Sequence, residues 1–505
     1  MAGRRQGPRD LAARPRTAYS LRGQEGRRGG ASVRPFRFQD VLDCTGAAHR
    51  SGAADLEILG VSTDTRTLRE GDLFLALSGP NFDGNRFAMR AIEAGAAALL
   101  LAGREGENLP EIPDEMPLAL HPEPRRAFGD LGAWYRSTLT MPLIAITGSC
   151  GKTTTKNILG HLLGGRMRVV ASPSSFNNDI GVPHTLLSAE SDTQILICEL
   201  GSNNPGEIAA LARLVRPTAG VVTNVGAVHL EGLGSLEGVV LEKGDLLSIV
   251  PPDGFCVLNA DGPFFNELHA RSSARVLSFS VEASAREESD LNATELHFHP
   301  GGTRFLLNER EIESPLLGTH NVHNLLAALC VCLGLDIPLD DVIPRIGGLS
   351  AGPRRLERIE LEGVTIFDDS YNSNPEALRA ALQTFSRGEK TGRRVLVLGD
   401  MLELGALTAE LHHRMGAEVA ESGIDLLVLV GDLAKAAGSG ASEKGFSSDA
   451  LLHFSDADQA AEAVSRWARA GDSVLVKGSR GIGLEKVVEA FREQRDPRPL
   501  GQASS

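Results

Sequence analysis

No stretch of this sequence is apolar for long enough to cross a bilayer. The longest run, AGAAALLLAG, stops well short of the ~20 residues that a spanning helix needs, so no membrane span is expected. Paired cysteine spacing is missing as well. Cys44, Cys150, Cys198, Cys256, Cys330 and Cys332 are scattered, the pattern of reduced, mostly buried thiols in a cytoplasmic protein. Positive charge is scarce: 51 Lys and Arg face 65 Asp and Glu, a formal net charge of -14, which excludes a broad nucleic-acid surface. A chain this acidic must bind phosphates locally, with backbone amides, a few cations and a metal.

What is present is enough to build several cores. With 505 residues, 42% of them hydrophobic, the length predicts about three domains. Residues 1–35, rich in Arg and Gly, predict a disordered tail with no assigned function. Residues 36–140 predict a small N-terminal α/β domain, with GDLFLALSG as a strand and FAMRAIEAGAAALLLAG as a helix running into another. From 141 to 350, the apolar runs MPLIAITG, TQILICE, AGVVTNVG and ARVLSFS alternate with helical patterns, which predicts a parallel sheet with crossover helices. SAGPRRLERIE marks a second seam. Across 351–505, GVTIFDDS, RRVLVLGD, DLLVLVGD and DSVLVKGS predict a doubly wound, Rossmann-like sheet. Ligands bind outside the carboxyl ends of such strands, near which lie Asp369, Asp400, Asp432 and Lys477.

ITGSCGKTTTK, residues 146–156, resembles a phosphate-binding loop with a spacer missing. The pattern G-x-x-x-x-G-K-[ST] would put its first glycine at Ile146; here it is Gly148. Strand, turn and helix nevertheless stand in the right order. The amides of Ser149, Cys150, Gly151, Lys152 and Thr153 can converge on a phosphate at a helix N-terminus. Lys152 supplies a cation, and Thr153 or Thr154 a hydroxyl for magnesium. The alternative is an ordinary glycine turn.

An ATP site needs a metal-binding carboxylate. Glu199 ends a buried strand, where an acid costs free energy unless paired or ligating a cation; otherwise it is an exposed loop acid. Glu207 reads as a first-turn helix acid. His229 follows the AGVVTNVG strand, as a ligand or a hydrogen-bonding loop residue. Lys243 lies on a helical stretch between acids, the mark of a solvated face. His320, Asn321 and Asn324 precede an apolar helix; the two asparagines share a face that suits a purine edge, or Asn321 caps the helix. Asp368 and Asp369 suit a ribose or a phosphate-bound metal, or cap the helix near Pro375. GDMLELG offers Asp400 and Glu403, and VKGSRGIG offers Lys477, Ser479 and Arg480. The latter's glycine order argues against a dinucleotide fingerprint.

Taken together, these stretches resemble the Mur ligase family of ATP-dependent amide ligases in peptidoglycan synthesis. The resemblance runs from about residue 36 to near the end, and TGSCGKTTT is similar to that family's shortened loop. It implies three domains: UDP-sugar binding at 36–140, ATP binding at 141–350, and a third at 351–505 that closes on ATP and binds the incoming group. It implies ATP phosphates held by Gly148 to Thr154, with Mg²⁺ at Thr153, Glu199 and His229. The lysine matching Lys243 is typically N-carboxylated, which requires a neutral amine and hence a lowered pKa. Asn321 and Asn324 would meet adenine, Asp369 the ribose or phosphates, and Arg355, taken in GPRRLERI in preference to Arg354, the nucleotide. Thr63, Asp64, Thr65, Arg66, Asn177 and Asn178 would lie near the UDP-muramoyl group. Lys477, Ser479 and Arg480 would serve the substrates, and His320 is the candidate to take the amine proton.

Within the family, ELGSNNPGEI, NVGAVHLEGLGS, DDSYNSNPEAL and GDMLELG imply UDP-N-acetylmuramoyl-tripeptide and D-alanyl-D-alanine as substrates, joined through an acyl phosphate in the cytoplasm by a monomer. The rivals are the sibling that adds the third, diamino residue, though no DNPR stretch is present; folylpolyglutamate synthase, which lacks the N-terminal unit; a phosphate-loop regulatory ATPase; and a sugar-nucleotide module with a dead ATP site.

Overall fold

The computed structural model describes residues 34–79, 82–104, 110–282, 289–388 and 390–495. The Arg/Gly-rich stretch through residue 33 lies outside them. The architecture is three α/β lobes. In the first, a five-stranded sheet runs Ala48–Ser51, Leu118–His121, Ala98–Ala102, Asp72–Leu75, Gly60–Ser62, parallel except for its first pair. Helix Pro124–Ser137 leads from it into the second lobe, and its Phe128, Leu131 and Tyr135 share one core with Leu143, Ala145 and Leu196 of the central sheet.

That central sheet has nine strands, in the order Val169–Ala171, Ile195–Glu199, Leu143–Thr147, Ala219–Val222, Phe255–Asn259, Arg275–Ser280, Leu291–His299, Gly302–Leu307, Arg310–Ser314. Its parallel half forms from the apolar runs. Leu143–Thr147 is buried along its whole length, as a strand covered on both faces must be. The last three strands add an antiparallel extension that no apolar run in the sequence announces. In Leu291–His299 only Leu291 and Ala293 are buried and the remainder alternates half-buried and exposed positions, so it shows no continuous apolar run. Helices Lys152–Leu163 and Thr319–Gly334 cover one face, and their apolar sides fill the core with Ile144, Ile146 and Val257.

The third lobe is a six-stranded sheet: Glu357–Leu361, Val364–Asp369, Ser473–Lys477, Arg394–Gly399, Leu426–Val430, Leu451–Phe454, parallel but for the first pair. Among the described residues no helix is long and apolar enough to cross a membrane. The six cysteines are unpaired, four of them buried.

Registry places the chemistry. Ile146 lies beside Glu199 and Thr147 beside Val222, so the phosphate loop, Glu199 and Asn224 emerge together at the carboxyl edge of the central sheet. Asp369 pairs in register with Lys477 at the same edge of the third sheet. The two edges face one another.

Candidate functional site

Between those edges lies a cavity of about 770 Å³, within the range that holds small-molecule ligands. The phosphate loop forms its floor. Gly148 has φ 142° and Gly151 φ 81°. A Cβ at Gly148 would fall 2.1 Å from Thr223 Oγ1, and one at Gly151 2.2 Å from Asn324 Oδ1. Backbone conformation and close contact therefore both call for glycine at these two positions. The amides of Ser149 and Cys150 do not join a cradle as the sequence suggested. They donate to the backbone oxygen and Oδ1 of Asn224, at 3.1 and 2.8 Å, which pins the loop to the neighbouring strand end. The donors left for an anion begin at Gly151, where helix Lys152–Leu163 starts with no side-chain cap.

Around this helix start the site is cationic. Lys152 folds back, its Nζ donating to Gly148 O at 2.6 Å, and desolvation lowers its pKa. Glu199 is the acid among these cations and is 1% exposed. Its Oε2 accepts from Thr153 Oγ1 at 2.8 Å and lies 3.7 Å from Lys156 Nζ; its Oε1 accepts from Asn177 Nδ2 at 2.9 Å. Arg355, from the third lobe's side, donates from Nη2 to the same Thr153 oxygen at 3.0 Å and lies over the Tyr371 ring, 4.2 Å from its centroid. Arg480 also stands over that ring, 5.0 Å from its centroid. Tyr371 OH reaches Ser175 Oγ at 2.5 Å, so one aromatic ring bridges the two lobes.

Lys243 sits behind the cavity wall on helix Leu236–Ile249. Its Nζ donates to Ser202 Oγ at 2.7 Å, and Ser202 lines the cavity. It is buried and not on a solvated face. Desolvation, aided by the nearby Lys152 charge, brings its pKa down to about 7.

On the far wall, Asn321 and Asn324 lie inside helix Thr319–Gly334, whose cap is Gly318, so Asn321 does not cap it. Asn321 Nδ2 donates to Leu317 O, and Asn324 Nδ2 to Asn321 Oδ1 at 3.1 Å. His320, beside them, has a buried Nδ1 without a partner. Burial takes its pKa to about 4. Asp369 and Lys477 make one pair at 2.6 Å. Neither Asp368 nor Asp369 caps the following helix; Asn374 does, accepting from Ala377 N. Of the other acids at strand ends, Asp400 is turned inward to Ala434 N, and Asp432 pairs with Lys435 on the surface.

Lys152, Thr153, Thr154, Glu199, His229, Asn177, Asn178, His320, Asn321, Asn324, Arg355, Asp369, Lys477, Ser479 and Arg480 all line this one cavity. Thr63, Asp64, Thr65 and Arg66 do not. They follow strand Gly60–Ser62 in the first lobe, where Asp64 is paired with Arg66. Sequence reasoning assigned nothing to Asn224, Lys156 or Tyr371. All three stood in quoted stretches, Asn224 in AGVVTNVG, Lys156 one helical turn after Lys152 and Tyr371 inside DDSYNSNP, but their partners are remote in the chain.

Three family descriptions match this chain: Mur ligase middle domain over residues 146–332, Mur ligase glutamate ligase domain over 354–480, and Mur ligase family catalytic domain over 57–128. The UDP-N-acetylmuramoyl-tripeptide–D-alanyl-D-alanine ligase of Escherichia coli K12 is 37% identical over 87% of this chain and 95% of its own length. The Bacillus subtilis 168 protein of that name is 34% identical over 86% and 93%. A crystal structure of MurF from Acinetobacter baumannii superimposes with a TM-score of 0.81 at 30% identity, covering 92% of this chain and all of that one. MurF ligase from Thermotoga maritima in complex with ADP gives 0.74 at 26% identity over 87% and 98%.

Proposed function

The chain belongs to the Mur ligase family, and from that premise we propose that its cavity uses ATP to activate the peptide carboxylate of one substrate for attack by the amine of another. It is an ATP-dependent amide ligase of peptidoglycan precursor synthesis, and so of cell-wall formation. It joins D-alanyl-D-alanine to UDP-N-acetylmuramoyl-tripeptide, giving UDP-N-acetylmuramoyl-pentapeptide, ADP and phosphate. The observation that carries the residue assignment is the meeting of Lys152, Glu199 and the Asn321–Asn324 face on one cavity.

The roles follow from charge and position. Lys152, Arg355 and the first-turn amides from Gly151 onward take the triphosphate, whose negative charge offsets a cluster of cations that Glu199 alone does not balance. Asn321 and Asn324 take the adenine, and the Asp369–Lys477 pair the ribose and phosphates. Magnesium suits the donor set, since Glu199 and Thr153 present hard oxygens side by side. Among the described residues no three His, Cys, Asp or Glu side chains form a ready-made group. Thr153, Glu199, His229 and N-carboxylated Lys243 would together hold the ion, which supplies charge neutralisation at the phosphate oxygens. Desolvation, which brings the Lys243 amine down to about 7, gives it a substantial neutral fraction near neutral pH, as carboxylation demands.

The tripeptide carboxylate attacks the γ-phosphorus, ADP leaves, and an acyl phosphate forms. Lys152 and Arg355 offset the repulsion between the two anions. The third lobe, held over the loop by Arg355, Tyr371 and Asn374, keeps water from this reactive mixed anhydride. The dipeptide amine then attacks the acyl carbon, and phosphate leaves. His320, neutral and with a free Nδ1, takes the amine proton. We assign residues 36–140 to the UDP-sugar, with Thr63 to Arg66 at its muramoyl end, 141–350 to ATP, and 351–505 to closure and dipeptide binding through Ser479 and Arg480. The reaction is placed in the cytoplasm and the working unit is a monomer.

Purified protein with ATP, Mg²⁺, UDP-muramoyl-tripeptide and D-alanyl-D-alanine should release phosphate only when both acceptor and dipeptide are present. Turnover indifferent to the dipeptide would mark a regulatory ATPase, and turnover with a free diamino acid the sibling ligase.

A further inference from the structure

GDMLELG leaves the strand Arg394–Gly399 of the third sheet and carries Glu403 across the lobe seam to His229. Nδ1 of the histidine and Oε2 of the carboxylate are 2.6 Å apart. Both residues occupy left-handed backbone, φ 51° at His229 and 63° at Glu403. A non-glycine residue stays there only when its surroundings hold it. The holding is visible on both sides. Met401 N donates to the buried His412 Nε2 at 2.9 Å, Leu402 N donates to Ser479 Oγ at 2.9 Å, and Ser479 N returns a bond to Asp400 O at 3.0 Å. Opposite, Val228, Leu230 and Leu233 of the central lobe enter one core with Met401 and Leu404 of the third. The Glu231 amide donates to Glu403 O at 3.4 Å. The pair itself is open, with the Glu403 side chain half-exposed, and an ion pair so placed contributes little to stability. Two strained backbones and a braced loop are therefore maintained for an orientation, not for the energy of the contact.

We propose that Glu403 is a positioning residue for His229. Accepting the Nδ1 proton fixes the imidazole tautomer with a bare Nε2. A carboxylate behind a ligating histidine orients the ring and raises its basicity. Because the carboxylate comes from the third lobe and the histidine from the second, the histidine is held in its ligating tautomer only while the lobes are seated together. ATP activation is thereby tied to closure. This rests on the reading of His229 as a metal ligand.

The test uses the full chain, free of metal, labelled with ¹⁵N at histidine, with the His229 signals identified by their loss in His229→Gln. Wild type should show the Nδ1-protonated tautomer and Glu403→Ala a shift toward the Nε2-protonated one. Mn²⁺ binding in the presence of ADP, followed by electron paramagnetic resonance, should weaken roughly tenfold in Glu403→Ala, at the low end of the effect expected of an outer partner. A lowered melting temperature with unchanged tautomer and unchanged Mn²⁺ affinity would reduce Glu403 to a structural tie and overturn the proposal. If His229→Gln itself binds Mn²⁺ as tightly as wild type, the ligand reading is what fails, and the inference falls with it.

Discussion

Arg355 donates to Thr153 Oγ1 at 3.0 Å, yet Arg354, the preceding residue, turns the opposite way to Glu485 and Glu489 on the last helix. The backbone makes the division: Arg354 has φ 60°, and the left-handed step sends the two guanidinium groups to opposite sides. Arg355→Ala should lower turnover roughly 100-fold, the scale of a lost charge-stabilising donor. Arg354→Ala removes a part-exposed pair worth about 0–1 kcal/mol and should leave turnover within roughly threefold. Equal losses in the coupled phosphate-release assay would contradict the assignment.

Glu199 and Lys156 stand 3.7 Å apart with both side chains almost fully buried. Removing the acid strands the lysine. Glu199→Ala should abolish turnover and cost about 3–5 kcal/mol in denaturant unfolding, as breaking a buried pair does. Adding Lys156→Met should recover part of that stability and none of the activity. If the two losses of stability simply add, the residues are not coupled.

Lys243 has a folded pKa of about 7 against 10.5 for a free lysine. Between those values the unfolded chain holds the extra proton, so stability rises with pH. The penalty, on the order of 5 kcal/mol, is complete below pH 7 and gone above 10.5. In bicarbonate-free buffer, Lys243→Met should therefore be more stable than wild type at pH 7, with the advantage shrinking toward pH 10. Lys243→Ala should lose activity and regain part of it with short carboxylic acids. An unchanged rate would take Lys243 out of the site.

His320 titrates in the opposite part of the scale. Burial lowers it from 6.5 to about 4, so the unfolded state binds a proton that the folded state refuses. Its contribution is whole above pH 6.5 and drains away as pH falls toward 4, roughly 3 kcal/mol in all. His320→Gln should flatten the acid side of the stability curve across that window. Calorimetry at pH 7, 5.5 and 4.5 would show it, and a slope identical to wild type would mean the ring is solvated.

Much of the site was legible because it is written locally. Gly148, Gly151, Lys152 and Thr153 lie within six residues, and covalent spacing alone sets them on a strand–turn–helix. Glu199 was legible for a similar reason, as an acid closing an apolar run that had to be a buried strand. The antiparallel extension from Leu291 to Ser314 was not, because its strands are half-open and their alternation is diluted by polar residues. Asn224 was invisible too. It ties down two loop amides from 74–75 residues away in the chain, and nothing beside it in the sequence announces that partner.

The order of residues by itself determined which segments became buried strands, where a phosphate could sit, and which acid would stand beside it, since each depends on hydrophobic period and neighbours a few residues apart. Only the tertiary structure decided that Lys243 is dry, that Arg355 meets Thr153 at the loop, and that Glu403 meets His229. Dryness and charge balance are set by what folds in from distant parts of the chain, and the electrostatic energy of a group depends on that assembled surrounding rather than on its place in the sequence.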